Sequence, residues 1–286
     1  MRTWKKANKT LLQFLCFLLT AVIFFILQNN ALVISKYTYT SPKLPAAFDN
    51  YTIVQISDLH NKDFRGKLVA EIKQLKPDMI VITGDLIDRR KTKIETAVAF
   101  IREVVKIAPT YYVSGNHEQL SDDYDVLLSK LQALQVHMME DAYEPLEKNG
   151  AKIGIIGLAD PANQEREESY LWVDSSGYVK AKLQELCAGL ETDFNILLSH
   201  RPELFSVYRE MQLDLVFSGH AHGGQIRLPF IGGLIAPNQG FFPQFTQGVH
   251  TDHTTAMVVS RGLGNSVFPL RVFNRPELVV VTLKQA

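Results

Sequence analysis

The sequence contains little cysteine and no overall excess of charge of either sign. Only two cysteines, Cys16 and Cys187, occur in 286 residues, which excludes a disulfide-dense scaffold and a zinc site built from four thiolates. With 46% hydrophobic and 21% charged residues, the composition also excludes a disordered chain, a collagen-like repeat and a multi-pass membrane protein. We therefore expect a globular chain with one domain, or at most two.

The net charge of zero hides an asymmetry between the N-terminal segment and the rest of the chain. The first 43 residues carry six basic residues and no acidic one: Arg2, Lys5, Lys6, Lys9, Lys36 and Lys43. Because the whole chain has 30 basic and 30 acidic residues, the remainder is acidic by six charges. Affinity for nucleic acids depends largely on neutralising phosphates with Lys and Arg. We therefore expect no specificity for nucleic acid.

An apolar run near the N-terminus predicts a membrane segment. Residues 11–27 are apolar except for Gln13 and Thr20, and four basic residues precede them. As a helix the run is about 25 Å long, slightly short of the roughly 30 Å core of a bilayer, and residues 31–34 can extend it. A cleaved signal peptide and an uncleaved anchor both fit, and the weak cleavage sequence at residues 29–31 favours the anchor. The basic flank predicts a single-pass protein of the cell membrane with residues after about 35 outside the cytoplasm.

We divide the chain into a signal anchor or transmembrane segment (1–34), a short stiff linker containing Pro42 and Pro45 (35–49) and a folded domain (50–286). Runs rich in β-branched and aromatic residues predict eight buried strands in that domain, at residues 51–56, 79–83, 110–113, 153–157, 195–198, 213–217, 256–259 and 278–283. Helical apolar patterns lie between the early strands. This alternation predicts a layered α/β domain with helices on both faces of the sheet.

Five of the predicted strands run directly into clusters of Asp, Asn or His. In open α/β sheets, ligands bind beyond the carboxyl ends of the strands, so we expect these clusters to meet at one rim. Each of them also contains residue types that bind metal ions. The convergent set is Asp58, His60, Asp85, Asn116, His200, His220 and His222.

These residue types favour a pair of divalent metal ions. Carboxylate, amide and imidazole groups without a thiolate suit Mn²⁺, Fe²⁺, Fe³⁺ or Zn²⁺. Seven side chains exceed the needs of one tetrahedral ion and suffice for two ions about 3.5–4 Å apart, if one carboxylate bridges them. A single Asp after a strand is usually a turn former or a helix cap. Five of the eight histidines fall in these clusters, however, which ordinary turns would not produce.

The clusters resemble the motif blocks of the calcineurin-like metallophosphoesterases. Five blocks match in order and separation, within a resemblance that covers about residues 51–283: Asp58-x-His60, Gly84-Asp85-x-x-Asp88, Gly115-Asn116-His117-Glu118, His200 and Gly219-His220-x-His222. Residues 223–225 and the segment 260–278 are similar to a membrane-associated or exported bacterial subgroup. That subgroup includes phosphodiesterases acting on UDP-diacylglucosamine-type lipids.

The resemblance implies an α/β fold, the αββα two-layer β-sandwich of the metallophosphoesterases, preceded by one N-terminal transmembrane or signal-anchor helix. It implies seven ligands for two metal ions at the top edge: Asp58, His60 and His222 for the first, Asn116, His200 and His220 for the second, and Asp85 between them. In the same scheme His117 faces the phosphate and the leaving group as a catalytic residue. Asp88 forms a hydrogen bond to His117 and sets its tautomer.

The activity implied by the resemblance is metal-dependent cleavage of a phosphodiester or pyrophosphate bond. A hydroxide shared by the two ions attacks phosphorus in line, and His117 acts as a general acid, so that its loss would slow turnover most for poor leaving groups. A broad-specificity cell-wall or nucleotide phosphoesterase is the alternative. A non-catalytic, metal-stabilised binding protein is disfavoured, because it would need neither His117 nor Asp88.

The substrate is expected to be a phosphorylated small molecule or a phosphorylated lipid. Arg201 and Arg227 lie beside the metal blocks, and we predict that they bind substrate phosphate. The segment 226–248 is rich in glycine and apolar residues. It predicts either ordinary packing at the rim of the site or an apolar wall that accepts an acyl chain or touches a bilayer. The sequence does not indicate the oligomeric state.

Overall fold

The fold is built from two mixed six-stranded sheets, and the computed structural model describes residues 2–162, 174–265 and 268–286. The first sheet contains six strands: β1 (Val33–Ser41), β2 (Thr52–Ile56), β3 (Met79–Thr83), β4 (Thr110–Val113), β5 (His137–Met138) and β16 (Glu277–Gln285). Its order is β1-β16-β2-β3-β4-β5, in which only the β16–β2 pair is antiparallel.

The second sheet has parallel inner strands and antiparallel edges. Its strands are β6 (Ala142–Lys148), β7 (Ala151–Gly157), β8 (Asn195–Leu198), β9 (Leu215–Ser218), β14 (Gly248–Asp252) and β15 (Thr255–Val259). Their order is β14-β15-β9-β8-β7-β6. Two short hairpins lie between β9 and β14: β10 (Arg227–Leu228) with β11 (Gly232–Gly233), and β12 (Ile235–Ala236) with β13 (Gly240–Phe241).

Alternation of side chains along the strands explains why the sheets stack with helices outside them. In β2, Ile53 packs into the core between the sheets, and Val54 faces the helices on the other side, as the period of two in a strand requires. Three helices cover the first sheet: α2 (Lys67–Leu75), α3 (Ile94–Val104) and α5 (Tyr124–Ala133). The second is covered by α6 (Ser176–Cys187) and α7 (Phe205–Glu210). The predicted αββα sandwich is confirmed.

The N-terminal segment forms one long helix, α1 (Arg2–Asn30). Within its stretch Asn8–Asn30, the most apolar 18 residues have a mean hydropathy of 2.6, and none of these 18 residues is buried in the protein. Among the described residues, this is the one helix long and apolar enough to cross a membrane.

The stretch 35–49 that we predicted to be a linker is largely regular structure. Strand β1 pairs along its whole length with β16, and a 3₁₀ turn follows at Ala46–Phe48. The prediction was wrong because Thr and Lys dilute the apolar content of β1, although the alternation itself is present. Tyr37 and Tyr39 pack against the core between the sheets, and Lys36 and Thr38 are exposed.

Candidate metal centre

The predicted ligands lie in the turns that follow five strands of the two sheets. Asp58 and His60 follow β2, Asp85 follows β3, Asn116 begins the short helix α4 (Asn116–Gln119) after β4, His200 follows β8, and His220 and His222 follow β9. Five of these residues have positive φ angles: Asp58, His60, Asp85, His220 and His222. Such angles are uncommon outside glycine, and they turn the chain sharply at the strand end.

Asp58, His60, Asp85 and His222 form the first cluster of ligand atoms. Each offers one atom, and these atoms lie within 4.8 Å of one another. The Nε2 atoms of His60 and His222 are 3.1 Å apart, and His222 Nε2 is 3.3 Å from Asp58 Oδ1. All four residues are buried. These four nitrogen and oxygen donors face one another closely enough to bind a divalent cation.

Asp85, His200 and His220 form the second cluster. His220 Nδ1 lies 3.1 Å from His200 Nε2, which in turn lies 3.3 Å from Asp85 Oδ2. The same Oδ2 atom is 3.5 Å from His60 Nε2 in the first cluster. One oxygen of Asp85 therefore faces both clusters.

Hydrogen bonds to the outer ring nitrogens leave the inner nitrogens of the second cluster available as ligands. His200 Nδ1 is 2.7 Å from the Thr83 carbonyl, and His220 Nε2 is 3.1 Å from Asn238 Oδ1. Since both partners are acceptors, the histidines donate there, so that in the neutral rings His200 Nε2 and His220 Nδ1 carry the lone pairs. Metal-binding histidines typically have such a second partner.

Asn116 adds a buried oxygen with no hydrogen-bond partner in the described part of the chain. Its side chain is 2% exposed, and its Oδ1 atom accepts no hydrogen bond there. Leaving a buried polar atom unpaired costs about 1–3 kcal/mol. A bound cation would satisfy this oxygen, so the residues present fit the metal pair that the sequence predicts.

Burial and the carboxylates push the histidine pKa values in opposite directions. Burial lowers the pKa values of His60 and His222 well below the usual range, and it lowers that of His220 to about 3. Burial also lowers the pKa of His200, but the nearby carboxylates of Asp85, Asp58 and Asp160 together outweigh it and raise that pKa to about 10. Three imidazoles are therefore neutral and able to ligate. A cation at the second cluster would compete with the His200 proton, so that metal binding releases a proton there.

Glu118 is a positioning residue that the sequence pattern did not single out beyond its place in the Gly-Asn-His-Glu block. The side chain is completely buried. Its carboxylate accepts hydrogen bonds from the backbone N–H groups of Asp85 at 2.7 Å, Gly115 at 2.8 Å and Ile87 at 3.0 Å. It thereby joins the turn after β3 to the turn after β4 and fixes Asp85. A Cβ atom on Gly115 would lie 2.2 Å from Asp85 Oδ1, so only glycine allows this approach.

His117 lies beside the first cluster, but its partner differs from the expected one. Its ring centroid is 4.5 Å from that of His60. His117 Nδ1 accepts a hydrogen bond from the backbone N–H of Arg89 at 3.2 Å, and Asp88 Oδ1 is 3.9 Å away, too far for a hydrogen bond. The expectation that Asp88 sets the tautomer is corrected, because the Arg89 N–H leaves the proton on Nε2. Burial lowers the pKa of His117, which favours this neutral form.

The two predicted phosphate-binding arginines have different surroundings. Arg201 is 2% exposed and forms two hydrogen bonds of 2.8 Å with Asp160. The prediction that Arg201 binds substrate phosphate is corrected, since its guanidinium already forms an ion pair with the buried carboxylate of Asp160. Arg227 is half-buried, and its Nη1 donates to the Gly223 carbonyl at 2.8 Å and to Thr246 Oγ1 at 3.1 Å. Arg227 also lines a groove of about 480 Å³, so its role stays a prediction.

Comparisons with known proteins agree with this geometry. The family model described as calcineurin-like phosphoesterase matches residues 51–224. The uncharacterized metallophosphoesterase YkuE of Bacillus subtilis (strain 168) is 32% identical over 266 residues, which cover 90% of this chain and 87% of that protein. Among solved structures, TT1561 of Thermus thermophilus has a TM-score of 0.51 at 13% identity, over 74% of this chain and 89% of that one. The structural likeness supports the fold alone.

A membrane-protein relative supports an association with membranes. The transmembrane protein with metallophosphoesterase domain from Bos taurus is 29% identical over 267 residues. The match covers 85% of this chain and 55% of that protein. Together with the apolar helix α1, it supports a membrane association in this chain as well. The motif blocks, the sandwich fold and the family match lead to one conclusion: the chain belongs to the calcineurin-like phosphoesterase family and is a hydrolase of phosphoric esters.

Proposed function

We propose that this protein uses two divalent metal ions to cleave a phosphodiester or pyrophosphate bond of a lipid-linked substrate, on the extracytoplasmic side of the membrane. The position of Asp85 Oδ2 is the main support for two metal ions. This oxygen is 3.5 Å from His60 Nε2 in the first cluster and 3.3 Å from His200 Nε2 in the second. A carboxylate shared in this way suits a bridging ligand of a two-metal site.

Each of the two clusters supplies the ligands of one metal ion. Asp58, His60 and His222 would hold the first ion, Asn116, His200 and His220 the second, and Asp85 both. Ions bound there would stabilise charge on the phosphoryl oxygens and lower the pKa of the attacking water from about 15.7 to about 7. Mn²⁺, Fe and Zn²⁺ all bind to these types of ligand, and elemental analysis of the purified protein distinguishes them.

His117 is the residue of the chain best placed to act on the substrate itself. With Nδ1 accepting the Arg89 N–H, its Nε2–H can donate a hydrogen bond to a phosphoryl or leaving-group oxygen. Asp88 contributes through its charge at 3.9 Å from the ring nitrogen. Glu118 keeps Asp85 in place through the backbone of both turns. These residues therefore orient a phosphate in a site that is largely closed to water.

A lipid-linked substrate is supported by a groove that includes Arg227, which donates a hydrogen bond to the carbonyl of Gly223, the residue after His222. This groove of about 480 Å³ is lined by Arg227 and by apolar or backbone surface of residues 228–232, together with Phe273. The positive charge of Arg227 in otherwise apolar surroundings suits an amphiphilic substrate that carries a phosphate group. The apolar helix α1 would keep the groove close to lipids.

Removal of metal should abolish hydrolysis reversibly. We expect the full chain, purified in detergent, to contain about two divalent ions per molecule and to hydrolyse bis-p-nitrophenyl phosphate. A chelator should remove both the metal and the activity, and only certain metals should restore the rate. Full activity in protein shown by elemental analysis to be free of metal would contradict the proposal and favour a metal-independent mechanism.

Acyl chains should increase the efficiency with which a lipid-linked substrate is cleaved. We expect kcat/KM for a nucleotide-linked diacyl lipid to exceed that for its deacylated head group by about tenfold or more, since each buried CH₂ contributes about 0.8 kcal/mol. Leu228→Ser should reduce only the acylated rate, and Val126→Ser on α5 is the matched control. Equal efficiency on the two substrates would refute the lipid preference and favour the broad-specificity phosphoesterase.

A further inference from the structure

A group of large apolar side chains is exposed on one side of the domain, which we call the apolar surface. Phe230 is fully exposed, Phe241 is 72% exposed, and Phe242 and Ile231 are each 63% exposed. The complete set is Leu228, Phe230, Ile231, Phe241, Phe242 and Phe273. Scattered exposed apolar residues are normal, but a contiguous group of aromatic ones marks a contact surface.

Backbone hydrogen bonds join the members of the apolar surface into one unit. Arg227 N donates to the Val272 carbonyl at 2.9 Å, which ties the β10–β11 hairpin to the segment carrying Phe273. Leu234 N donates to the Ile226 carbonyl at 2.8 Å, and Phe242 N donates to the Leu234 carbonyl at 2.9 Å. The two hairpins and the segment before Asn274 therefore hold their exposed side chains in a fixed arrangement.

The apolar surface is continuous with helix α1. The ring of Phe273 packs edge-on against the ring of Phe24, with centroids 5.4 Å apart. At the end of the same helix, Gln28 Oε1 accepts a hydrogen bond from Asn274 N at 3.1 Å. Asn29 Oδ1 accepts one from Arg271 N at 3.1 Å. Polar side chains at the helix end and an aromatic contact one to two turns earlier thus fix α1 against the domain.

The depth of Phe24 in a membrane sets the depth of the apolar surface. The stretch Asn8–Asn30 has 23 residues, which span about 34 Å as a helix, against a hydrocarbon core of about 30 Å. Phe24 lies about 9 Å before the end of the helix. When α1 spans the bilayer, Phe24 is therefore inside the hydrocarbon region. Phe273, in contact with it, then lies at the level of the lipids and not in bulk water.

We propose that the apolar surface inserts into the outer leaflet beside α1, with lipid acyl chains and headgroups as its partner. Insertion would bury aromatic side chains that otherwise face water, at about 25 cal/mol per Å² of apolar area. The surface is connected to the first metal cluster through Asn274, which follows Phe273 and whose Nδ2 donates to the His222 carbonyl at 2.7 Å. The domain then rests with this edge of the site against the membrane. This arrangement does not depend on the reaction that the site catalyses.

A fluorophore attached at position 231 tests the insertion in the full chain reconstituted into liposomes. Cys16→Ser and Cys187→Ser remove the two native thiols, and Ile231→Cys introduces the labelling site. Val126→Cys is the matched control, since Val126 is an exposed apolar residue on α5, outside the apolar surface. We expect spin-labelled lipids to quench the label at 231 several-fold more than the label at 126, and aqueous iodide to show the opposite order. Phe230→Ser with Phe242→Ser should shift the label at 231 towards the control.

Two outcomes would overturn the proposal. In the first, the label at 231 is as accessible to iodide and as insensitive to lipid quenchers as the label at 126, so that the surface faces water. In the second, the label at 231 is shielded from both quenchers, so that a second copy of the chain or another protein covers it. Neither readout uses catalysis, so a failure here leaves the proposed hydrolytic function to be judged by its own experiments.

Discussion

Asp85→Ala is expected to remove bound metal and hydrolytic activity together. Asp85 Oδ2 is the atom that faces both clusters, so its loss weakens both metal sites at once. If the ions lower the pKa of water by about nine units, they account for roughly 12 kcal/mol of easier deprotonation at 1.36 kcal/mol per unit. We expect no other single substitution to reduce the rate of hydrolysis as much. Elemental analysis and the rate with bis-p-nitrophenyl phosphate measure it.

Asp85→Asn separates the charge of Asp85 from its structural contact. The Oδ1 atom of Asp85 accepts the backbone N–H of His117 at 2.9 Å, and Asn can keep this hydrogen bond while losing the negative charge. We expect Asn to preserve the folded structure, measured by thermal unfolding, and still to lose metal and rate. Asp88→Asn is the control at a nearby carboxylate outside both ligand sets, and it should retain metal. Full metal content and rate in Asp85→Ala would show that the bridging ligand is another residue.

The clustering of the proposed ligands could be predicted from the sequence because each follows directly after a strand whose apolar run is easy to identify. Asp58 and His220 are 162 residues apart in the chain, but His220 N donates to the Asp58 carboxylate at 3.1 Å. The sheet order β2-β3-β4 and the neighbours β8 and β9 bring these strand ends to one edge. A local pattern therefore sufficed, since the fold supplies the long-range part in a regular way.

The partners of the site residues could not be predicted, because they come from irregular loops whose position depends on tertiary packing. Asn238, which fixes the His220 ring, lies in the turn of the short β12–β13 hairpin. Asp160 takes Arg201 away from the substrate, and no local feature of either residue signals the pair. Similarly, β1 was missed because Lys36 and the threonines dilute its apolar content, although the alternation is present.

Helix α1 shows the same division between what hydropathy predicts and what packing decides. The apolar run predicts a helix that can cross a membrane, and the structure contains it. The contacts of Gln28, Asn29 and Phe24 with residues 271–274 are invisible to hydropathy. Those contacts connect the membrane segment to the loop that supports His222 through Asn274. The uncleaved anchor stays a prediction.

His117→Ala is expected to slow turnover by about 10²–10³-fold while metal content stays unchanged, the effect typical of losing one hydrogen-bond donor to a developing charge. His117 belongs to neither ion's proposed ligand set. Burial lowers its pKa, so the imidazole is neutral at pH 7. A rate that depends on the neutral form is retained above the lowered pKa and is lost as the pH falls through it.

The dependence on the leaving group distinguishes the two roles proposed for His117. A neutral imidazole with Nδ1 held by the Arg89 N–H donates a hydrogen bond from Nε2 and keeps its proton. The loss in His117→Ala should then be similar for p-nitrophenyl and alkyl diesters. Asp88→Asn should cause a much smaller loss, because 3.9 Å separates Asp88 from the ring nitrogen. A loss in His117→Ala that grows steeply with the pKa of the leaving group, together with an equal loss in Asp88→Asn, would show that the pair transfers a proton as the family resemblance implies. The hydrogen-bonding role derived from the geometry would then be wrong.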